Sequence, residues 1–159
     1  MIISFIAKKE EKMSLKFDHL GIVVKDIEEA ANLYHEILGL TPWSMGVKED
    51  SANGVRLLSL PTGDTFIELI QPVSSNNRFA RFLRERGGGL FHLCFFADDF
   101  DKEVRALKEK GFTVEVETAS IDPEHPFRLA WLPPESTPGV WIELADMAAL
   151  PEGLRHHKF

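Results

Sequence analysis

The chain has 159 residues, 44% hydrophobic, 27% charged and 10% aromatic, which is ordinary globular composition and excludes general disorder. Its net charge of -7 argues against a nucleic-acid partner, whose phosphate backbone calls for a basic face. The single cysteine, Cys94, rules out an internal disulfide and suits a reducing, cytoplasmic setting. No apolar run approaches the ~20 residues of a membrane span, and the start MIISFIAKKEEKMSL places its lysines after its apolar stretch, unlike a secretory signal.

Residues 1–15 read as an N-terminal extension without assigned chemistry. Phe17 to Val24 is rich in β-branched and apolar residues and reads as a strand. Asp26 then caps a helix in which Ile27, Ala30, Ala31, Tyr34, Ile37 and Leu38 recur at helical spacing, and Gly39 closes it. A weak strand and a loop lead to Asn53-Gly54. Val55–Leu60 and Thr65–Ile70 form a hairpin across Pro61-Thr62-Gly63-Asp64. The first unit therefore spans 16–72.

Residues 73–89 link the halves through an amphipathic helix, with Phe79, Phe82 and Leu83 interleaved by Arg78, Arg81, Arg84 and Arg86. The arginines read as a solvated face, with anionic parts of a ligand as the alternative. A second unit, 90–146, then repeats the order. Leu90–Ala97 is a strand, Asp99 caps a helix ended by Gly111, Phe112–Val116 is a strand, and Phe127–Leu132 with Val140–Ala145 forms the last hairpin. Residues 147–159 form an unrepeated tail. The predicted class is α+β, with two tandem βαβββ modules.

The repeat extends to single residues. His19 and His92 lie 73 positions apart, and Glu68 and Glu143 lie 75 apart. Asp26 matches Asp99, Glu36 matches Glu109, and Ile67-Glu68-Leu69 matches Ile142-Glu143-Leu144. Taken singly, a histidine in an apolar strand is an ordinary core residue and a strand glutamate faces solvent at an edge. Solvent-facing positions, however, have no reason to keep the same residue types after duplication. Glu68 lies among Phe66, Ile67, Leu69 and Ile70, and Glu143 among Trp141, Ile142, Leu144 and Ala145. Burying a carboxylate there needs compensation, and a divalent cation held by two imidazoles and up to two carboxylates supplies it. His35 and His125 read as surface residues, and Cys94 as a small buried side chain.

The segments HLGIVVKDIEEA, YHEILGL, FIELIQP, LFHLCF and GVWIELAD resemble the vicinal oxygen chelate superfamily of glyoxalases, bleomycin resistance proteins and dioxygenases, over about residues 17–146. Within it, GVRLLSLPTGDTFIELIQP, NNRFARFLRERGGGLFHLCF and STPGVWIEL are most similar to methylmalonyl-CoA epimerases. The resemblance implies a half-barrel of paired βαβββ modules around one divalent metal (Co, Zn, Ni, Mn or Mg). His19, His92 and Glu143 would be ligands, and Glu68 a fourth ligand or a nearby base. It implies a homodimeric isomerase acting on an acyl-CoA or other thioester, with Glu68 and Glu143 as the acid–base pair. A glyoxalase I-type lyase and a metal-free drug-binding protein of the same fold are the alternatives. Pro133-Pro134-Glu135 and His125-Pro126 depart from the epimerase pattern.

Overall fold

The computed structural model describes residues 15–119, 127–146 and 148. Strand β1 (Leu15–Val23) leads into helix α1 (Ile27–Leu38), and strands β2 (Lys48–Asp50), β3 (Val55–Pro61) and β4 (Phe66–Pro72) follow. Helix α2 (Arg78–Arg86) connects to β5 (Gly89–Ala97), α3 (Phe100–Glu109), β6 (Glu115–Ala119), β7 (Phe127–Leu132) and β8 (Trp141–Asp146). Each helix starts where its sequence supplies an acceptor. Asp26, Asn77 and Asp99 accept hydrogen bonds from the N–H groups of Glu29, Ala80 and Lys102. The first two helices end on Gly39 and Gly87 in left-handed conformation, φ 71° and 78°.

The eight strands form one sheet in the order β2-β3-β4-β1-β5-β8-β7-β6, curled into a half-barrel. This order is symmetric about the antiparallel β1–β5 pair, and β4 and β8 join that pair from outside in parallel register. Alternation along the strands sorts side chains onto two faces. On the outer face, Ile27 of α1 packs with Leu58, Leu60 and Leu69, and Phe100 and Val104 of α3 pack with Ala97, Ala130 and Leu144. The inner face carries Val23, Leu57, Ile70, Phe91, Phe96, Leu129 and Trp131, against which α2 lays Phe79, Phe82 and Leu83. Glu68, His92 and Glu143 alternate in phase with Ile70, Phe96 and Ala145 of this inner cluster, and Phe91 joins it where the β1–β5 register breaks.

Two arginines tie helix to sheet at corresponding places. Arg56 on β3 donates to Glu28 of α1 and to Gln71 of β4, and also meets Glu49. Arg128 on β7 donates to Asp101 of α3 and to Asp146 of β8, and its guanidinium lies 4.7 Å from the Phe100 ring centre. Glu28 and Asp101 are 73 positions apart, and Gln71 and Asp146 are 75 apart, so the clamp belongs to the repeat.

Four expectations are corrected. The strand after α3 begins at Glu115, not Phe112, because β7, its only partner among the described residues, offers Trp131 opposite Glu115 and runs to Phe127 opposite Ala119. Ile37 and Leu38 do not join the buried face of α1 but are 67% and 59% exposed. Arg78 is not on a solvated face: its guanidinium lies 4.9 Å from the ring centre of Trp131 and 5.0 Å from that of Trp141. The first strand also starts two residues before Phe17, at Leu15, and ends at Val23. Residues 1–14, His125 and the tail apart from Ala148 lie outside the described residues. Among the described residues, no helix is long and apolar enough to cross a membrane.

Candidate metal centre

The central strands bring the four residues singled out by the repeat to one place. His19 on β1 and His92 on β5 face each other with their Nε2 atoms 3.0 Å apart. Glu143 on β8 sets its Oε2 2.9 Å from His92 Nε2, and Glu68 on β4 sets its Oε2 3.5 Å from His19 Nε2. The ligating atoms of His19, His92 and Glu143 all lie within 4.8 Å of one another, with Glu68 beside that trio on the His19 side. Because β4 and β8 flank the β1–β5 pair, the two carboxylates arrive from opposite sides.

The set suits a divalent cation. Ligands held about 2.1 Å from one octahedral ion stand about 3.0 Å apart along each edge, close to the Nε2–Nε2 and Nε2–Oε2 separations found here. Two imidazole nitrogens and two carboxylate oxygens converging on a water-poor spot also carry excess negative charge that needs a proton or a cation. A second trio of potential ligands, Asp18, His19 and Cys94, shares His19.

Both histidines are aimed by irregularities in the β1–β5 pairing. The register shifts between Phe17 and His19 on β1, passing over Asp18, and between Gly21 and Ile22, passing over Phe91 on β5. Asp18 and Phe91 each precede a site histidine and are themselves related by the repeat. Bulges of this kind re-aim side chains next to functional sites. Gly21 sits opposite His92, and a Cβ there would come within 2.1 Å of His92 Cε1, so only glycine leaves room for the ring. The His19 ring stacks on Phe66 at 4.5 Å, and the His92 ring meets Trp131 edge-on at 5.3 Å.

The local electrostatics follow from burial against charge. Burial alone works against a charged His19. The Cys94 sulfur, the Glu68 carboxylate and the Asp18 hydrogen bond oppose it and hold His19 well above the ordinary imidazole range. Burial pushes the Cys94 thiol up, and its charge interaction and hydrogen bond with His19 oppose that only in part. Burial likewise disfavours the Glu68 carboxylate, but His19, with His92 and Lys48, keeps it below its usual value.

Sequence reasoning missed two features. Asp18, 8% exposed, bonds His19 Nδ1 through its Oδ2 at 2.7 Å; strict alternation assigned it to the other face. The second is a cluster beneath His92. Trp131 Nε1 donates to Glu117 at 2.6 Å, Arg78 Nη2 donates to Glu117 at 3.0 Å, and Arg78 packs on both tryptophans. Its outer side opens onto a polar cavity of about 360 Å³ lined by Asn53, Asn76, Asn77, Arg81 and Glu115. The signal for it was Arg78, the first arginine of an apparently solvent-facing row. His35 is exposed, and its Nδ1 meets the Leu40 carbonyl oxygen at 3.0 Å. Cys94 is buried and free, as its apolar strand implied.

Comparison with known proteins agrees with this architecture. The chain is 30% identical over 137 residues to the ethylmalonyl-CoA/methylmalonyl-CoA epimerase of Cereibacter sphaeroides, covering 83% of this chain and 98% of that one. It is 26% identical over 143 residues to the uncharacterised protein YqjC of Bacillus subtilis, covering 90% and 97% of the two chains. The crystal structure of methylmalonyl-CoA epimerase from Mycobacterium tuberculosis superposes with a TM-score of 0.72 at 26% identity, over 88% of this chain and 91% of that one. The profile described as the Glyoxalase/Bleomycin resistance protein/Dioxygenase superfamily matches residues 18–131. With a curled eight-stranded sheet and a histidine–glutamate pair from each half at its centre, the chain belongs to that superfamily.

Proposed function

We propose that the protein is a divalent-metal-dependent epimerase that moves the proton on the carbon next to a thioester carbonyl, on a substrate of the methylmalonyl-CoA kind. The observation that supports this reading most directly is the approach of Glu68 and Glu143 to the histidine pair from opposite flanks. Inversion at carbon requires a proton to leave one face and return to the other, and two carboxylates so disposed suit that exchange. The names borne by the C. sphaeroides and M. tuberculosis proteins support the same substrate class.

In this reading His19, His92 and Glu143 hold the cation, and Glu68 completes the set from the His19 side. When bound, the cation supplies Lewis-acid stabilisation of the negative charge that develops on an oxygen beside the reacting carbon. The residues of the chain do the rest. Glu68, kept ionised by its charged neighbours, takes the proton on one face. Glu143, through the oxygen turned away from His92, serves the other face. Phe66 and Trp43, in contact at 5.0 Å, wall the His19 side and limit water there. We also take the protein to work as a cytoplasmic homodimer, which sedimentation of the purified chain tests.

The test is deuterium exchange at the α-carbon of methylmalonyl-CoA, with protein reconstituted separately with cobalt, zinc, nickel, manganese or magnesium. Exchange that depends on metal and stops with chelator is the expected result. Glu68→Gln should keep the metal and lower exchange by roughly 10²–10⁴-fold, the usual contribution of a positioned acid or base. Tightly bound metal without exchange overturns the substrate, and formation of lactoylglutathione would then identify a lyase. Absence of metal binding overturns the reading as a whole.

A further inference from the structure

We infer that Asp18 is a positioning residue, which fixes His19 as the Nδ1–H tautomer and presents its Nε2 lone pair to the centre, whereas the Nδ1 side of His92 is held by packing. This inference rests on the metal-centre reading above and deepens it.

Asp18 is a buried carboxylate on a strand, a costly placement unless its oxygens are used. The pairing of β1 with β5 passes over it, and the Thr65 hydroxyl donates to its backbone carbonyl, tying the irregular stretch to the turn before β4. Its Oδ2 lies 2.7 Å from His19 Nδ1. A carboxylate only accepts, so a neutral His19 in this bond carries its proton on Nδ1 and leaves Nε2 free of one. That is the form a cation requires of an imidazole.

The second half shows what happens without such a group. At the repeat-related position the chain has Phe91, also passed over in the pairing, and its ring packs with Phe79, Phe82 and Trp141. Accordingly His92 Nδ1 has no hydrogen-bond partner among the described residues. Its ring is instead confined by Trp131 on one side and the bare backbone of Gly21 on the other. After duplication, the same bulge position thus serves two purposes: a hydrogen bond that aims one histidine and an aromatic wall that encloses the other. The two ligands are therefore unequal, and the chain can lose control of His19 through a single side chain.

The experiment is ¹⁵N NMR of histidine-labelled, metal-free protein at a pH where the rings are neutral, with the His19 signals assigned through His19→Gln. Cobalt affinity is measured in parallel. Wild type should show the Nδ1–H pattern for His19. Asp18→Ala should shift His19 toward the Nε2–H form and weaken cobalt binding by roughly 10–100-fold, the usual effect of removing such a partner. Asp18→Asn retains an acceptor, and should keep the tautomer with a smaller loss of affinity. Asp18→Ala with wild-type tautomer and wild-type affinity overturns the inference, as does an Nε2–H His19 in the wild type. If Asp18→Ala fails to fold, Asp18→Asn decides: an Nε2–H ring there also overturns it. Should wild type take up no cobalt, the metal reading falls while the tautomer comparison still decides the role of Asp18.

Discussion

Replacing Gly21 with alanine tests how tightly the centre is built. The added methyl carbon would stand 2.1 Å from His92 Cε1, 2.2 Å from Nδ1 and 2.7 Å from Nε2. Non-bonded carbons need about 3.5 Å, so the ring must retreat by about 1.4 Å. His92 is 1% exposed and backed by Trp131 and Phe91, so nothing yields without disturbing the inner core. Overpacking of this kind costs about 1–3 kcal/mol, less the roughly 0.5–1 kcal/mol that alanine returns by stiffening the unfolded chain. At about 2–4 °C per kcal/mol for a chain of this length, the melting temperature should fall by several degrees. A ligand constellation tolerates displacements of about 0.5 Å, so metal binding should be lost even where the fold survives. Thermal unfolding of Gly21→Ala, His92→Ala and the double variant forms a cycle. In the His92→Ala background the methyl enters vacated space, and its cost should vanish. An equal loss in both backgrounds would refute the reasoning, because the strain would then come from something other than His92.

Other outcomes follow from the same site. A cation at 100 times its Kd should add about 2.7 kcal/mol to stability, and His92→Ala should abolish that gain in thermal-shift measurements. In the metal-free protein, His19 has a folded pKa above the ~6.5 of an unfolded histidine. The stability it contributes is complete below about pH 6.5 and is lost as pH rises through the folded pKa, so urea midpoints should fall toward alkaline pH, and less steeply in His19→Gln. Cys94 is buried with its thiol pKa raised, so thiol reagents should label it only in step with unfolding by urea; rapid labelling of native protein would contradict its placement.

The four polar residues at the centre were legible because duplication wrote them twice in apolar surroundings. Isolated, His19 or Glu68 would have carried no such message. The element order of each module was legible from the same repeat, and in the structure equivalent strands occupy equivalent places on either side of β1 and β5. Asp18 was not legible, because alternation assumes an unbroken ladder and the bulge at Asp18 breaks it beside the residue that matters. Arg78 was misread for a different reason. Helical spacing gave it a polar neighbourhood on α2, but the tryptophans and glutamate that receive it come from β6, β7 and β8, far away in sequence. The start of β6 was likewise set by its partner strand, which a local pattern of valine and threonine does not reveal.

The paired arginine clamps make this chain its own control. Arg56 and Arg128 perform one structural task in two neighbourhoods, so the same truncation made at each site shares one buffer, one denatured state and one refolding reaction. The partners differ in their sheet residue: β4 offers Arg56 the neutral amide of Gln71, with Glu49 alongside, whereas β8 offers Arg128 the buried carboxylate of Asp146. Each arginine thus meets two carboxylates, and subtracting one loss from the other compares a buried second carboxylate with an exposed one, Glu49, beside an amide, with the Phe100 ring as a further difference. Few comparisons between separate proteins are matched so closely.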